Sequence, residues 1–307
     1  MANHFIDICD HEADWLSHVL DVGGELLEKR KAATPCTGVL AGKTLAMLFE
    51  KPSLRTRVSF EQAMYELGGH ASVLSAEEVG LGQRESAADV ARVLGGMVHG
   101  VMARVFEHQK LIDMAEVSAV PVINALSDES HPCQALADVM TLQQEFGPDL
   151  ADRHVVFVGD GNNVARSLAR LCAKLSIHFT LCSPQSHQID SEEWESIQNG
   201  AGARIAQTTD PHETVRSADA IYTDTFVSMG QEAEKQQRLK AFEKYQVNEA
   251  LVAAAPDHAI VLHCLPAYRG VEITDGVMDG PQSRVFQQAH NRLHAQKGLL
   301  AVLMGNL

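Results

Sequence analysis

At 307 residues and 45% hydrophobic, the chain is long enough for one large or two medium domains with packed cores. Its 40 acidic and 25 basic residues leave a formal net charge of −15. That balance argues against nucleic acid or an anionic membrane as partner, and confines any anion site to a local basic island. No apolar run has transmembrane length, and Met1-Ala2-Asn3-His4-Phe5 lacks a basic and apolar leader. The six cysteines (Cys9, Cys36, Cys133, Cys172, Cys182, Cys264) include no Cys-x-x-Cys pair, so reduced thiols in a cytoplasmic setting are expected and no structural zinc is.

Asp10 to Lys31 reads as an amphipathic helix, and Lys43 to Phe49 as a buried strand. Pro52 ends the strand, and Ser53 is a good N-cap for a helix carrying Val58, Phe60, Met64 and Leu67. The start of that helix holds two hydroxyls, Ser53 and Thr56, and two guanidiniums, Arg55 and Arg57. Arginine opposes the helix dipole there. A bound phosphate would reconcile them, accepting from backbone N–H groups, hydroxyls and the arginine fork together; the plainer alternative is a capped helix with solvated arginines. A strand at His70 to Ser75, a Gly-containing loop at Glu77 to Gln83 and a helix from Glu85 to Met97 follow. Val98 to Val105 is apolar except for Arg104, a costly inclusion unless paired. Arg104 lies either on an edge strand in water or at a strand's carboxyl end, aimed into a cleft. After a helix at Gln109 to Val117 and a strand at Val120 to Leu126, a polar loop runs through Ser127-Asp128-Glu129-Ser130-His131. Pro132 opens the next helix, which leaves His131 either as a plain cap residue or in a cleft.

Pro148 to Arg153 reads as a linker. A second α/β pattern begins at His154 to Val158, with the turn Gly159-Asp160-Gly161-Asn162-Asn163 and a helix from Val164 to Leu175. Gly159-x-Gly161 resembles the start of a dinucleotide fingerprint, but Val164 occupies the third glycine position, so it reads as a strand-to-helix turn. Strands are expected at Phe179 to Cys182, Arg204 to Gln207, Ala220 to Thr223 and Ala259 to Leu262. Helices are expected at Ser191 to Asn199, Pro211 to Arg216 and Glu234 to Tyr245. The alternation in both halves predicts two domains, each a parallel β-sheet flanked by helices, with ligands beyond the carboxyl ends of the strands. Two of those ends are rich in chemistry: Asp224-Thr225-Phe226-Val227-Ser228-Met229-Gly230 and His263-Cys264-Leu265-Pro266. Asp224 is suited to an ammonium group. No second thiol and no evident general-base partner lies near Cys264 in sequence, which counts against a covalent or metal role.

Taken together, Ser53-Leu54-Arg55-Thr56-Arg57, His131-Pro132-Cys133-Gln134, the Asp224 to Gly230 segment and His263-Cys264-Leu265-Pro266 resemble the carbamoyltransferase family, its ornithine branch in particular, over essentially the whole chain. The resemblance implies that Ser53, Leu54 through its backbone, Arg55 and Thr56 bind the phosphate of carbamoyl phosphate. Arg104, His131 and Gln134 would bind its carbamoyl end, with Thr56 near the carbonyl oxygen and Arg292 as a further contact. It implies that Asn163, Asp224, Ser228 and Met229 hold L-ornithine, and that Cys264 and Leu265 lie near the reacting amine. The catalytic groups would be Thr56, Arg104, His131 and Cys264. The C-terminal helix is expected to return to the first domain, giving 1–147 with 288–307 for carbamoyl phosphate and 148–287 for ornithine. A cytoplasmic homotrimer with active sites at subunit interfaces, no cofactor and no metal are further implications. Relatives often place Gln or His where this chain has Gly80, so Gln83 or Arg84 becomes the candidate for a carbamoyl phosphate contact at a neighbouring subunit's phosphate site; Phe226 stands where Trp is common. Putrescine or an acetylated ornithine is the alternative acceptor, and a non-catalytic anion-binding protein the alternative class. Whether the chain serves arginine synthesis or breakdown is left open, since both use the same residues.

Overall fold

The computed structural model describes residues 3–82, 84–199, 201–228, 230–305 and 307. It divides into two compact units, the chain up to Met140 together with the stretch from His290 onward, and Thr141–Ala289. In the first unit, β1 (Thr44–Phe49), β2 (His70–Ser75), β3 (Gly100–Arg104) and β4 (Val122–Leu126) form a sheet of order β2-β1-β3-β4. In the second, β5 (His154–Val158), β6 (His178–Cys182), β7 (Ile205–Thr208), β8 (Ala220–Thr223) and β9 (Ile260–His263) pair in the order β7-β6-β5-β8-β9. Every pairing between these strands is parallel. Among the described residues, the helices of eight or more residues are α1 (Ala13–Lys31), α2 (Leu54–Glu66), α3 (Ala87–Gly95), α4 (Gln109–Val117), α5 (Pro132–Phe146), α6 (Asn163–Lys174), α7 (Ser191–Gln198) and α8 (Val285–Met304). None of the described helices is long and apolar enough to cross a membrane. The expected two-sheet α/β class is thus the observed one.

Each sheet reverses its winding direction once. In the first unit the chain leaves β1 for β2 on one side and later adds β3 on the other; in the second, β5 is flanked by β6 and β8 in the same way. Such a switch opens a crevice at the carboxyl ends of the two central strands. The residues there are Ser53 after β1 and Arg104 ending β3, and in the second unit Asn162 after β5 and Asp224 after β8.

Several local expectations are corrected. Glu77 to Gln83 is not all loop, because Ala76–Val79 forms one helical turn whose first acidic residues suit a helix start. Gly80 and Gly82 follow at φ 70° and 74°, backbone that glycine adopts without strain. A Cβ on Gly80 would lie 2.9 Å from the Arg84 side chain. Gln83 lies outside the described residues, and Arg84 is exposed. The edge-strand reading of Arg104 fails: β3 is an inner strand, buried throughout. The Gly159-x-Gly161 turn is structural, since a Cβ on Gly161 would meet Ile189 N at 2.8 Å and His187 O at 2.9 Å.

Helix α8 packs against α1 in the first unit through a glycine pair. A Cβ on Gly298 would sit 2.3 Å from Val19 O and 2.7 Å from Gly23 N, so the two backbones approach too closely for any other residue. One residue earlier, buried Lys297 donates to Glu66 Oε2 (2.9 Å) and Leu26 O (3.2 Å). Burial first, then the charges of Lys297 and Arg30, holds the neighbouring His294 imidazole down at about 4, against 6.5 ordinarily, with Glu66 opposing and Lys31 adding to the depression. A histidine depressed in the folded state binds fewer protons than in the unfolded chain, so its stabilising contribution is present above pH 6.5 and lost as pH falls towards 4. Thermal stability measured across that window should therefore decline, and the decline should be shallower in His294→Leu than in the parent. Equal slopes would remove His294 as a cause.

Candidate active site

The first unit gathers its chemistry around the start of α2. Ser53 caps the helix: its Oγ accepts from Thr56 N (3.3 Å) and lies 3.0 Å from Thr56 Oγ1. Thr56 is fully buried, and its hydroxyl oxygen accepts from Arg104 Nη1 (3.4 Å) and Arg292 Nη2 (3.2 Å). Arg292 reaches in from α8 and also donates through Nη1 to Gln134 Oε1 (2.8 Å), while Gln134 Nε2 donates to Asp138 Oδ1 (2.8 Å). Arg104 is aimed by an irregularity between β3 and β4, where the register passes from Ala103–Asn124 to Arg104–Leu126 and skips Ala125.

His131 is carried by the turn after β4, which is braced internally. Ser127 N donates to Ser130 O (2.9 Å), and Asn124 Nδ2 donates to Ser130 Oγ (2.9 Å). Cys133 Sγ donates to Asn124 O (3.3 Å), and burial pushes that thiol up to about 12. His131 is buried, and its pKa is pulled well below 6.5 by burial and then by the charges of Arg292, Arg104 and Arg55. At neutral pH it is an uncharged imidazole, able to donate a hydrogen bond but not to act as a strong acid. Leu54 contributes backbone to the helix start, with its side chain 75% exposed. The two sequence arginines separate here: Arg55 is half-buried and within electrostatic reach of His131, whereas Arg57 faces solvent and pairs with Glu61 Oε1 at 3.4 Å. Arg57 therefore leaves the candidate phosphate set. Lys51, not singled out from sequence, is buried with Nζ 4.0 Å from the Phe106 ring centroid, and burial and then the Arg104 charge lower its pKa.

In the second unit the centre is Asp224, 6% exposed. Its Oδ2 accepts from Asn162 Nδ2 (2.8 Å), and its Oδ1 from Thr225 N (2.7 Å) and Cys264 Sγ (3.0 Å). Asn162 also caps α6, accepting at Oδ1 from Val164 N (3.0 Å) and Ala165 N (3.1 Å). Sequence reasoning chose the next residue, Asn163, which is the first of the helix; the preference for Asn at an N-cap was the signal that pointed to Asn162. Ser228 N donates to Gln231 Oε1 (3.0 Å), and Met229 lies outside the described residues. Behind the segment, buried Arg238 donates through Nε to Phe226 O (2.7 Å) and forms an ion pair with Asp160. Phe226 stacks on Phe242 at 4.7 Å between centroids, so this aromatic is packed in the core. Among the described residues, Asp224, His263 and Cys264 bring possible metal-ligand atoms within 4.8 Å of one another. Both His263 nitrogens are engaged, however, with Leu265 N (2.9 Å) and Glu272 Oε1 (3.2 Å), and Asp224 takes the three bonds above.

Two halves with this chemistry match two family models. Residues 3–144 match the carbamoyl-P binding domain of aspartate/ornithine carbamoyltransferase, and residues 151–303 its Asp/Orn binding domain. The chain belongs to the aspartate/ornithine carbamoyltransferase family. Among the family's curated members, the ornithine carbamoyltransferase of Anoxybacillus flavithermus is 46% identical over 303 residues, covering 98% of this chain and 96% of that protein. That of Thermococcus kodakarensis is 50% identical over 273 residues, covering 88% and 86%. Among solved carbamoyltransferase structures, ornithine carbamoyltransferase from Pyrococcus furiosus superposes with a TM-score of 0.95 at 45% identity, covering 100% of this chain and 98% of that one. The anabolic ornithine carbamoyltransferase from Campylobacter jejuni gives 0.91 at 38% identity, covering 99% of each.

Proposed function

We propose that the protein is an ornithine carbamoyltransferase, passing the carbamoyl group of carbamoyl phosphate to the δ-amine of L-ornithine to give L-citrulline and phosphate. The observation that carries this reading is the buried cluster of Thr56, Arg104, His131, Gln134 and Arg292 beside the capped start of α2, which suits an anionic acyl donor. We assign carbamoyl phosphate to the domain formed by 1–147 and 288–307, and ornithine to 148–287. Ser53, the Leu54 backbone, Arg55, Thr56 and Arg292 hold the phosphate. Arg104, His131 and Thr56 donate to the carbonyl oxygen, whose charge grows as the amine attacks, and Gln134 Oε1 accepts from the carbamoyl NH2. Asn163, Asp224, Ser228 and Met229 form the ornithine side, joined by Asn162 through its bond to Asp224, while Cys264 and Leu265 contact carbamoyl phosphate next to the reacting amine.

The donor is already activated, so no covalent enzyme intermediate is required. The nitrogen–carbon bond forms, the carbon–oxygen bond to phosphate breaks, and the departing phosphate can take the amine's proton. Catalysis then consists of alignment and stabilisation of the oxyanion. A neutral His131 fits that role, since it polarises the carbonyl without surrendering a proton. A cytoplasmic homotrimer in arginine biosynthesis is the setting we propose, with Gln83 or Arg84 reaching a neighbouring subunit. Exposed Leu54 and Val58 on α2 offer apolar surface for a second copy to cover, and light scattering would give the mass.

The deciding experiment incubates the purified protein with carbamoyl phosphate and, separately, ornithine, acetylornithine, putrescine or aspartate, and measures the ureido product. Citrulline from ornithine alone is expected. Product from another amine alone would reject the assignment of Asp224 to Gly230, and no product from any amine would reject catalysis.

A further inference from the structure

Two buried side chains that the proposed reaction does not use meet behind the Cys264–Leu265 turn. His263 and Glu272 are both 0% exposed. His263 Nδ1 accepts from Leu265 N (2.9 Å), so its ring proton resides on Nε2, which faces Glu272 Oε1 at 3.2 Å. The same Glu272 oxygen accepts from Tyr268 N. Two other bonds fix the pair from outside the loop: His263 N donates to Gln288 Oε1 (2.8 Å), and Val247 N donates to Glu272 O (2.8 Å). The segment between Cys264 and Tyr268 is therefore pinned at two amides, and the imidazole–carboxylate contact joins the pins. Between them Leu265 has φ 58°, a left-handed conformation that residues other than glycine keep only when their surroundings hold them there. Its neighbour Cys264 is thereby presented to Asp224 Oδ1 at 3.0 Å.

We propose that His263 and Glu272 are positioning residues for the acceptor amine: they clamp the Leu265 and Tyr268 amides and so fix the Cys264 thiol against Asp224. The proposal rests on the reading of Asp224 as part of the ornithine side, with Cys264 next to the reacting amine. It carries a specific corollary. Glu272 Oε1 takes both contacts, whereas Oε2 is buried with no hydrogen-bond partner among the described residues. One acceptor oxygen in the right place is what the clamp requires, so an amide can supply it and the carboxylate charge is dispensable.

The test compares wild type, Glu272→Gln, Glu272→Leu and His263→Asn in two readouts: KM for each substrate, and the rate at which iodoacetamide labels Cys264, followed by peptide mapping. Glu272→Leu should raise the ornithine KM about tenfold or more and speed labelling, with the carbamoyl phosphate KM changed by less than about twofold. Glu272→Gln should stay within about threefold of wild type in every readout. If Glu272→Gln is as impaired as Glu272→Leu, or if Glu272→Leu matches wild type, the clamp is wrong. Should Glu272→Leu fail to fold, His263→Asn decides. Its Oδ1 can still accept from Leu265 N but cannot reach Glu272, so the ornithine KM and the labelling rate should rise with the carbamoyl phosphate KM steady; wild-type behaviour overturns the proposal. A wild-type protein that makes no citrulline would remove the functional reading, while the labelling comparison would still judge the clamp.

Discussion

Arg292→Met is expected to cut carbamoyl transfer by about 10²–10³-fold, the usual effect of removing one donor from a preorganised electrostatic site, while the unliganded protein stays close to wild-type stability. The second half of that expectation separates a functional arginine from a structural one. The change removes the hydrogen bonds to Gln134 Oε1 and Thr56 Oγ1, among others, and leaves a buried acceptor on Gln134. It also removes one of three guanidiniums that crowd His131. Repulsion among like charges held in a dry site destabilises the empty protein, so its relief offsets the lost bonds. With phosphate or carbamoyl phosphate present the balance reverses, because the anion stabilises the parent by binding its folded form and the variant by much less. Melting curves with and without inorganic phosphate, set beside turnover, check both halves. A variant that loses stability without ligand but keeps its turnover would mark Arg292 as structural.

Arg238→Leu should destabilise the second unit by about 3–5 kcal/mol, as expected when one partner of a buried ion pair is removed. Asp160 would then be a buried carboxylate deprived of its cation. Burial already raises its pKa, and the Arg238 charge is the main influence opposing that rise. The double variant Asp160→Asn/Arg238→Leu should recover part of the loss, since it removes the stranded charge. It should not recover ornithine binding, because Arg238 Nε also holds the Phe226 carbonyl and so the turn between Asp224 and Ser228. Denaturant titrations followed by hydrogen exchange on β8 and β9 would report the stability, and the ornithine KM the turn. Full recovery of both by the double variant would show that the Phe226 contact is unimportant.

What could be read from the chain and what could not divide along a physical line. Ser53, Arg104 and Asp224 announce themselves locally: a cap after a strand, a charge closing an apolar run, an acid opening a polar turn. Their placement at the reversal of each sheet follows from strand order, which the alternation of elements only partly fixes. Arg238 and Glu272 act through partners 78 and 9 residues away, and nothing in their immediate neighbours distinguishes them from surface residues; Asn162 carries a local cap signal, but not its bond to Asp224 62 residues away. Arg57 misled for the complementary reason. It sits in the same helical turn as Arg55, but the helix period turns it outward to Glu61. The reading of Glu77 to Gln83 as loop omits the helical turn Ala76–Val79, because four residues are too few for a periodic signal.

The contact between Gly23 and Gly298 also sets an order of events during synthesis. The first unit starts to emerge from the ribosome before the second, yet the face of α1 around Gly23, which Met140 covers in part, lacks its α8 partner until that helix is made. All of Thr141–Ala289 must be translated in between, a wait of roughly 10–30 s at ordinary elongation rates. For that interval Glu66 also lacks Lys297, and Thr56 lacks Arg292. The unit begun first is thus completed last, and its anion site is assembled only when the chain's final helix closes over α1.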